Sequence, residues 1–238
     1  MIRLKPILIT GLFSFTLAAT ALSHADASLT ATAALKQAKT VASTKETTTT
    51  QPIIAYFEKD AGTSSEHENS LYSATPVADG YYRILHGRDK NGRFLVQDFY
   101  QERKKKQTDP FWIVDEEGLN SFEIHYVDGE VRNYFKNGKL STINVVKDGE
   151  FKGTTVSNYL TGKHATEFEL IDPEKYIYTV KYWYDDGKPA MDGQVSYEDS
   201  QEGDYTVKAW DRQGNTVTDQ AEIQKIAADI SKILEEAE

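Results

Sequence analysis

"RNYFKNGKLSTINVVKDGEFKG", residues Arg132 to Gly153, decides the fold. It places an aromatic pair, a turn, an extended run and a second turn within 22 residues. Asn137-Gly138 and Asp148-Gly149 are dipeptides that favour hairpin turns, and the run between them is rich in β-branched residues. A little further on, "SNYLTGKHATEFELIDPEKY" (Ser157 to Tyr176) repeats the order of aromatic, glycine turn and extended run.

The rhythm extends along most of the chain. Turn glycines stand at Gly92, Gly118, Gly138, Gly162, Gly187 and Gly214, at steps of 26, 20, 24, 25 and 27 residues. Tyr134, Tyr159, Tyr184 and Trp210 precede the last four glycines by three or four places and recur at steps of 25, 25 and 26. Two markers keeping step over successive units indicate a degraded structural repeat. From Gly80 onward, segments such as "YYRILHG", "RFLVQDFYQ", "FEIHYV" and "DYTVKAW" predict strands, with Phe122, Ile124 and Tyr126 alternating onto one buried face. Pro52 to Glu58 predicts a first strand and Asp60 to Ser70 a polar loop.

Composition agrees. The chain of 238 residues is 39% hydrophobic and has 14 tyrosines against 2 methionines, a balance that favours strands over helix bundles. It has no cysteine, which excludes disulfides, thiolate metal sites and a cysteine nucleophile. Arg3 and Lys5 precede an uncharged run from Ile7 to Leu22, and "SHADA" offers cleavage after Ala25 or Ala27. That run falls short of the roughly 20 apolar residues a spanning helix needs, so residues 1–27 read as a signal peptide. Its removal takes Arg3, Lys5 and Asp26, and the net charge passes from −10 to −11. So acidic a chain repels nucleic acid and anionic membranes, and no stable membrane insertion is expected after cleavage. Export points to the periplasm or the exterior of a Gram-negative bacterium.

Residues 28–50 are Ala/Thr-rich and read as a flexible linker. Residues 51–118 read as an N-terminal β-hairpin region, 119–217 as the repeat sheet and 218–238 as a C-terminal helix. In that helix Ile223, Ile226, Ala227, Ile230, Ile233 and Leu234 form one apolar stripe, and Asp219 with Glu222 makes a capping-box-like start. It is expected to cap the sheet.

The residues "YFKNGKL" (134–140), "KDGEFKG" (147–153), "YLTGK" (159–163), "YDDGKPAMDG" (184–193) and "WDRQGN" (210–215) resemble the MORN-variant repeat of bacteria, over about residues 120–217. Two units depart from it: "IDPEKY" replaces the Asp-Gly turn, and the last unit has Gln-Gly-Asn in place of Gly-Lys. The resemblance implies a mainly β fold, an elongated antiparallel single-layer sheet of consecutive β-hairpins with a C-terminal capping α-helix. Some bacterial members resemble antitoxin or immunity proteins, so the implied task is binding a protein partner such as a cognate toxin. The alternative is a cell-envelope binding or assembly protein that recognises peptidoglycan, glycan or an outer-membrane partner.

No catalytic motif, metal-ligand spacing or cofactor signature stands out; the four histidines beyond the leader are scattered, so no catalytic or metal residue and no cofactor is expected. Arg103 to Lys106 is a local basic run and reads as a solvated connection. "YIYTVKYWY" (176–184) puts Tyr176, Tyr178, Val180, Tyr182 and Tyr184 on one face, and Ile177, Thr179, Lys181 and Trp183 on the other. The candidate partner-binding residues are Tyr134, Tyr159, Tyr182, Trp183, Tyr184 and Trp210.

Overall fold

The computed structural model describes residues 52–58, 72–102, 104–196 and 205–237. The expected signal peptide, the Ala/Thr-rich linker and the 60–70 loop lie outside the described residues. The fold is mainly β, an antiparallel open sheet of consecutive hairpins with, among the described residues, one α-helix at the C-terminal end. The chain forms two compact units: residues 52–138 with 146–150, and residues 139–145 with 151–237.

The N-terminal unit contains β1 (Ile53–Phe57), β2 (Tyr72–Ser73), β3 (Tyr81–Arg88), β4 (Phe94–Tyr100), β5 (Phe111–Ile113) and β6 (Val127–Tyr134). They lie side by side in the order β6-β5-β4-β3-β1-β2. The strand read at "FEIHYV" is a correction. Short 3-10 turns occupy Glu117–Asn120 and Ile124–Tyr126, and β6 begins only at Val127. The physical reason is tertiary: Gly118 packs so tightly that a Cβ there would stand 2.4 Å from the Tyr126 Cβ. The segment folds over the core as a cover, and Phe122 packs on Phe57 in a tilted pair with ring centroids 4.2 Å apart.

Alternation fixes which face of this sheet is buried. Phe94, Val96 and Asp98 of β4 point inward with Arg83 of β3, and Phe111 and Ile113 of β5 complete the layer. Arg83 and Asp98 are register partners, and both are fully buried. The guanidinium grips the carboxylate with Nε–Oδ1 at 2.7 Å and Nη2–Oδ2 at 2.9 Å. Its Nη1 donates to the carbonyls of Gly118 (2.8 Å) and Ser121 (3.0 Å), tying the 3-10 cover to the sheet.

The C-terminal unit contains most of β7 (Leu140–Lys147), then β9 (Thr154–Asn158), β10 (His164–Asp172), β11 (Ile177–Trp183), β12 (Pro189–Ser196), β13 (Tyr205–Trp210) and β14 (Thr216–Val217). The two-residue β8 (Glu150–Phe151) follows the left-handed turn at Asp148 and Gly149 (φ 54° and 78°). Each of these strands neighbours the next in the order β14-β13-β12-β11-β10-β9-β7. Helix α1 (Gln220–Glu235) lays Ile223, Ala227 and Ile230 into the core formed by Phe168, Val180, Met191 and Ala209. Each buried isoleucine contributes on the order of 2 kcal/mol. Asp219 caps the helix, accepting the Glu222 N–H at 2.9 Å, worth about 1 kcal/mol. Ile233 departs from the expected stripe and is exposed, while Ser231 is buried. Ile233 lies about 90° around the helix from the centre of the Ile223–Ala227–Ile230 stripe, on its flank.

Candidate functional site

Five hairpin turns share one geometry: a glycine N–H donates three residues back, at Gly92 to Asp89 (3.1 Å), Gly138 to Phe135 (2.7 Å), Gly162 to Tyr159 (2.6 Å), Gly187 to Tyr184 (2.8 Å) and Gly214 to Asp211 (2.9 Å). All five glycines sit at φ between 80° and 95°, backbone that a side chain would strain. The residue three places before the glycine decides what each turn does. In the three middle turns it is aromatic and buried: Phe135, Tyr159, Tyr184.

Within the C-terminal unit these aromatics couple one turn to the next. The Tyr159 hydroxyl donates to the Trp183 carbonyl at 2.6 Å, and Tyr184 donates to the Trp210 carbonyl at 2.7 Å. The lysine after each glycine does the same from the surface. Lys139 reaches the Thr161 carbonyl (2.6 Å), Lys163 that of Asp185 (2.9 Å) and Lys188 that of Arg212 (2.7 Å). At the last turn Asp211 replaces the aromatic and Asn215 the lysine. Asp211 Oδ1 accepts the N–H of Gln213 (2.9 Å) and of Asn215 (2.8 Å), so that turn closes on itself. The turn at Asp89 does likewise, through Asn91 and Arg93, both at 2.9 Å.

This ladder assigns three of the expected contact residues to structure. Tyr159, Tyr182 and Tyr184 are 3%, 4% and 5% exposed. Tyr182 packs edge-on to Phe168 at 5.4 Å. Burial pushes the Tyr159 and Tyr184 phenols up from their ordinary value. Rings so enclosed have no surface to give a partner.

Trp183 and Trp210 lie on the opposite, open face, because Tyr182 and Ala209 alternate inward. Both are half-buried. His164 meets the Trp183 ring edge-on at 4.4 Å, and its Nε2 is 3.1 Å from Glu167 Oε1. Also on this face, Glu167, Lys181, Asp192 and Lys208 form a charged row, standing opposite one another in register.

Tyr134 belongs to the N-terminal unit. It is half-buried, donates to Asp109 Oδ2 at 2.7 Å, and lies beneath Lys106 Nζ, 3.6 Å from the ring centre. Lys106 also pairs with Asp109 at 2.7 Å. Burial opposes ionisation of Asp109, but the bonds from Lys106 and Tyr134 outweigh it and hold the carboxyl below the ordinary range. Within the basic run, then, Lys106 is a structural cation, whereas Lys104 and Lys105 are exposed.

A further group was not singled out in the sequence. On the open face of the N-terminal unit Tyr56, Tyr82 and Phe99 stand opposite one another across β1, β3 and β4. Tyr82 and Phe99 are stacked, 5.3 Å between centroids and 12° between planes. Beside them Leu95 opposes Trp112, and the Arg93 guanidinium lies 4.7 Å from the Trp112 ring centre. All are half-buried. Strand phase held the signal: once Phe94, Val96 and Asp98 face the core, Leu95 and Phe99 must face outward, an apolar set where an alternating strand would carry polar residues. The same phase would have found the buried Arg83–Asp98 pair.

Among the described residues no group of three or more histidine, aspartate or glutamate side chains is placed to hold a metal ion. No family model, curated protein or solved structure matches the chain.

Proposed function

We propose that this chain is an exported, non-enzymatic protein–protein interaction module, in its most concrete form a periplasmic immunity protein of the MORN-variant kind that binds and blocks a secreted toxin. The observation that carries this reading is the half-buried row Tyr56–Tyr82–Phe99 with Leu95, Trp112 and Arg93 beside it. Aromatic residues with arginine, set on a rigid sheet, are the composition that distinguishes the centres of protein interfaces. The leader-like start and the acidic charge support the rest: a net charge of −10 favours encounter with a basic toxin. Trp183 and Trp210, half-buried on the open face of the C-terminal unit, are further contact residues in this reading.

The test is a deletion strain challenged with the toxin-like product of an adjacent reading frame. Loss of resistance, restored by the wild-type chain and not by a Tyr82→Ala/Phe99→Ala variant that still folds, is the expected result. Undiminished resistance in the deletion strain sinks the immunity reading. Co-sedimentation with purified cell-wall sacculi would replace it with envelope binding.

A further inference from the structure

The outer edge of β13 is used neither by the core nor by the open face. β14 covers β13 only at Ala209 and Trp210, opposite Val217 and Thr216. Among the described residues no strand pairs on that side with the stretch preceding Ala209. Asp211 donates its N–H to the Asn215 carbonyl across the closing turn at 2.9 Å. Antiparallel alternation then turns the N–H and C=O of Ala209 and Val207 toward this edge, and those of Lys208 and Thr206 toward β12. Val207 presents one donor and one acceptor on the side where the sheet ends.

The side chains along this edge select what can be added there. On the open face Glu167, Lys181, Asp192 and Lys208 form one row across β10, β11, β12 and β13. Their signs alternate, and Lys181 Nζ lies 3.6 Å from Glu167 Oε2. Lys208 ends the row, exposed. On the core face the neighbouring row runs Phe168, Val180, Gly193, Val207. A strand laid next to β13 continues both rows only with an acid opposite Lys208 and an apolar residue beside Val207.

We propose that the outer edge of β13 is a strand-addition site for an extended segment of a partner protein whose residues alternate acidic and apolar, the acid lying opposite Lys208. Backbone hydrogen bonds at Val207 give the pairing, and the charge row gives the register. A second copy of this chain fits worse. Its own β13 would set lysine or threonine against Lys208, and an edge lysine is a common device against self-pairing. The self-closed Asp211 turn also lacks the tyrosine and lysine donors that link the inner turns. This edge is distant in sequence from the Tyr56–Tyr82–Phe99 row, so the proposal does not rest on the immunity reading.

The probe is a fluorescently labelled peptide in which Glu, Val and Thr alternate, with a second peptide carrying Lys in place of each Glu. In anisotropy titrations of the full chain the acidic peptide should bind at least about fivefold more tightly than its basic counterpart. Lys208→Glu, on an exposed side chain, should reverse that order. Val207→Pro, which removes the outward N–H and leaves the ladder to β12 in place, should abolish binding of both. Amide exchange gives a readout without mutation: the Val207 N–H should exchange rapidly in the free chain and become protected when the acidic peptide is added. Equal affinity for the two peptides, or no reversal in Lys208→Glu, overturns the proposal. A Val207 amide already protected overturns it too, and a dimer in sedimentation would then assign the edge to a second copy.

Discussion

The hydroxyl of Tyr184 donates to the carbonyl oxygen of Trp210, 26 residues further on, at 2.7 Å. The pair joins one hairpin turn to the next, and Tyr159 does the same to Trp183. Tyr184→Phe keeps the ring in the core and removes the bond, leaving a carbonyl short of a partner. It should lower stability by about 1 kcal/mol, and the Tyr159→Phe change by a similar amount. Urea unfolding measures both. Partner binding should be unaltered in each variant, because the ring edges face inward; a binding loss with unchanged stability would return these tyrosines to the contact surface.

Arg83 and Asp98 make a different kind of stake. Removing one partner strands the other charge where water cannot reach it, so Arg83→Met and Asp98→Leu should each cost about 3–5 kcal/mol. That is a large part of the roughly 5–15 kcal/mol holding a typical domain folded. The double variant discriminates between two contributions. It relieves the stranded charge but leaves the carbonyls of Gly118 and Ser121 without the donors that Nη1 supplied. Stability should therefore recover only in part. Full recovery in guanidinium unfolding would mean that the 3-10 cover is held by Phe122 and its neighbours alone.

Lys106, Asp109 and Tyr134 predict a pH dependence. Asp109 is held below its ordinary value despite burial, by hydrogen bonds from Lys106 and Tyr134. Its stabilisation is therefore fully present above the unfolded aspartate value of about 3.9 and drains as pH falls through the lower folded value. Lys106 is raised, by the Asp109 hydrogen bond first, so its share persists up to the ordinary lysine range and is lost only above it. Urea midpoints taken from about pH 5 to about pH 2 should show an acid limb that Asp109→Asn flattens. An unchanged limb in that variant would place the acid sensitivity elsewhere.

Turn chemistry made the hairpins legible. Glycine at a left-handed position is dictated locally, so Gly138, Gly162, Gly187 and Gly214 marked their turns whatever the surroundings. In two units the aromatic marker falls one residue out of phase. Tyr134 and Trp210 stand four places before their glycines, whereas the residue whose carbonyl accepts the glycine N–H stands three places before: the buried Phe135 in one, the half-buried Asp211 in the other. Spacing alone does not distinguish adjacent aromatics. Phase with the core does, and it requires knowing which face α1 and the 3-10 cover occupy. Phe122 to Tyr126 departs from its strand pattern for the same reason: the alternation is genuine, but Gly118 draws the segment across the core instead of into the sheet. The candidate surface was hidden where both faces of a strand carry apolar residues, as at Leu95 and Phe99.

Gly193 lies within β12 opposite Val207, on the face that α1 and its neighbours cover. Its backbone is not in the left-handed region, so the need for glycine here is one of space. A Cβ would stand 2.1 Å from the Thr206 carbonyl oxygen and 2.5 Å from the Val207 Cα. Both are backbone atoms of β13, which a rotamer change cannot move aside. Gly193→Ala should therefore push β13 away from β12, at a cost of about 1–3 kcal/mol. The strain falls on the edge strand, so amides of Thr206 and Lys208, which face β12, should lose exchange protection before those of β10 and β11. Uniform loss across the sheet would show that β13 unfolds only with the whole unit. In the local case, the acidic peptide should bind Gly193→Ala more weakly than the wild type, because the edge it extends no longer holds its register.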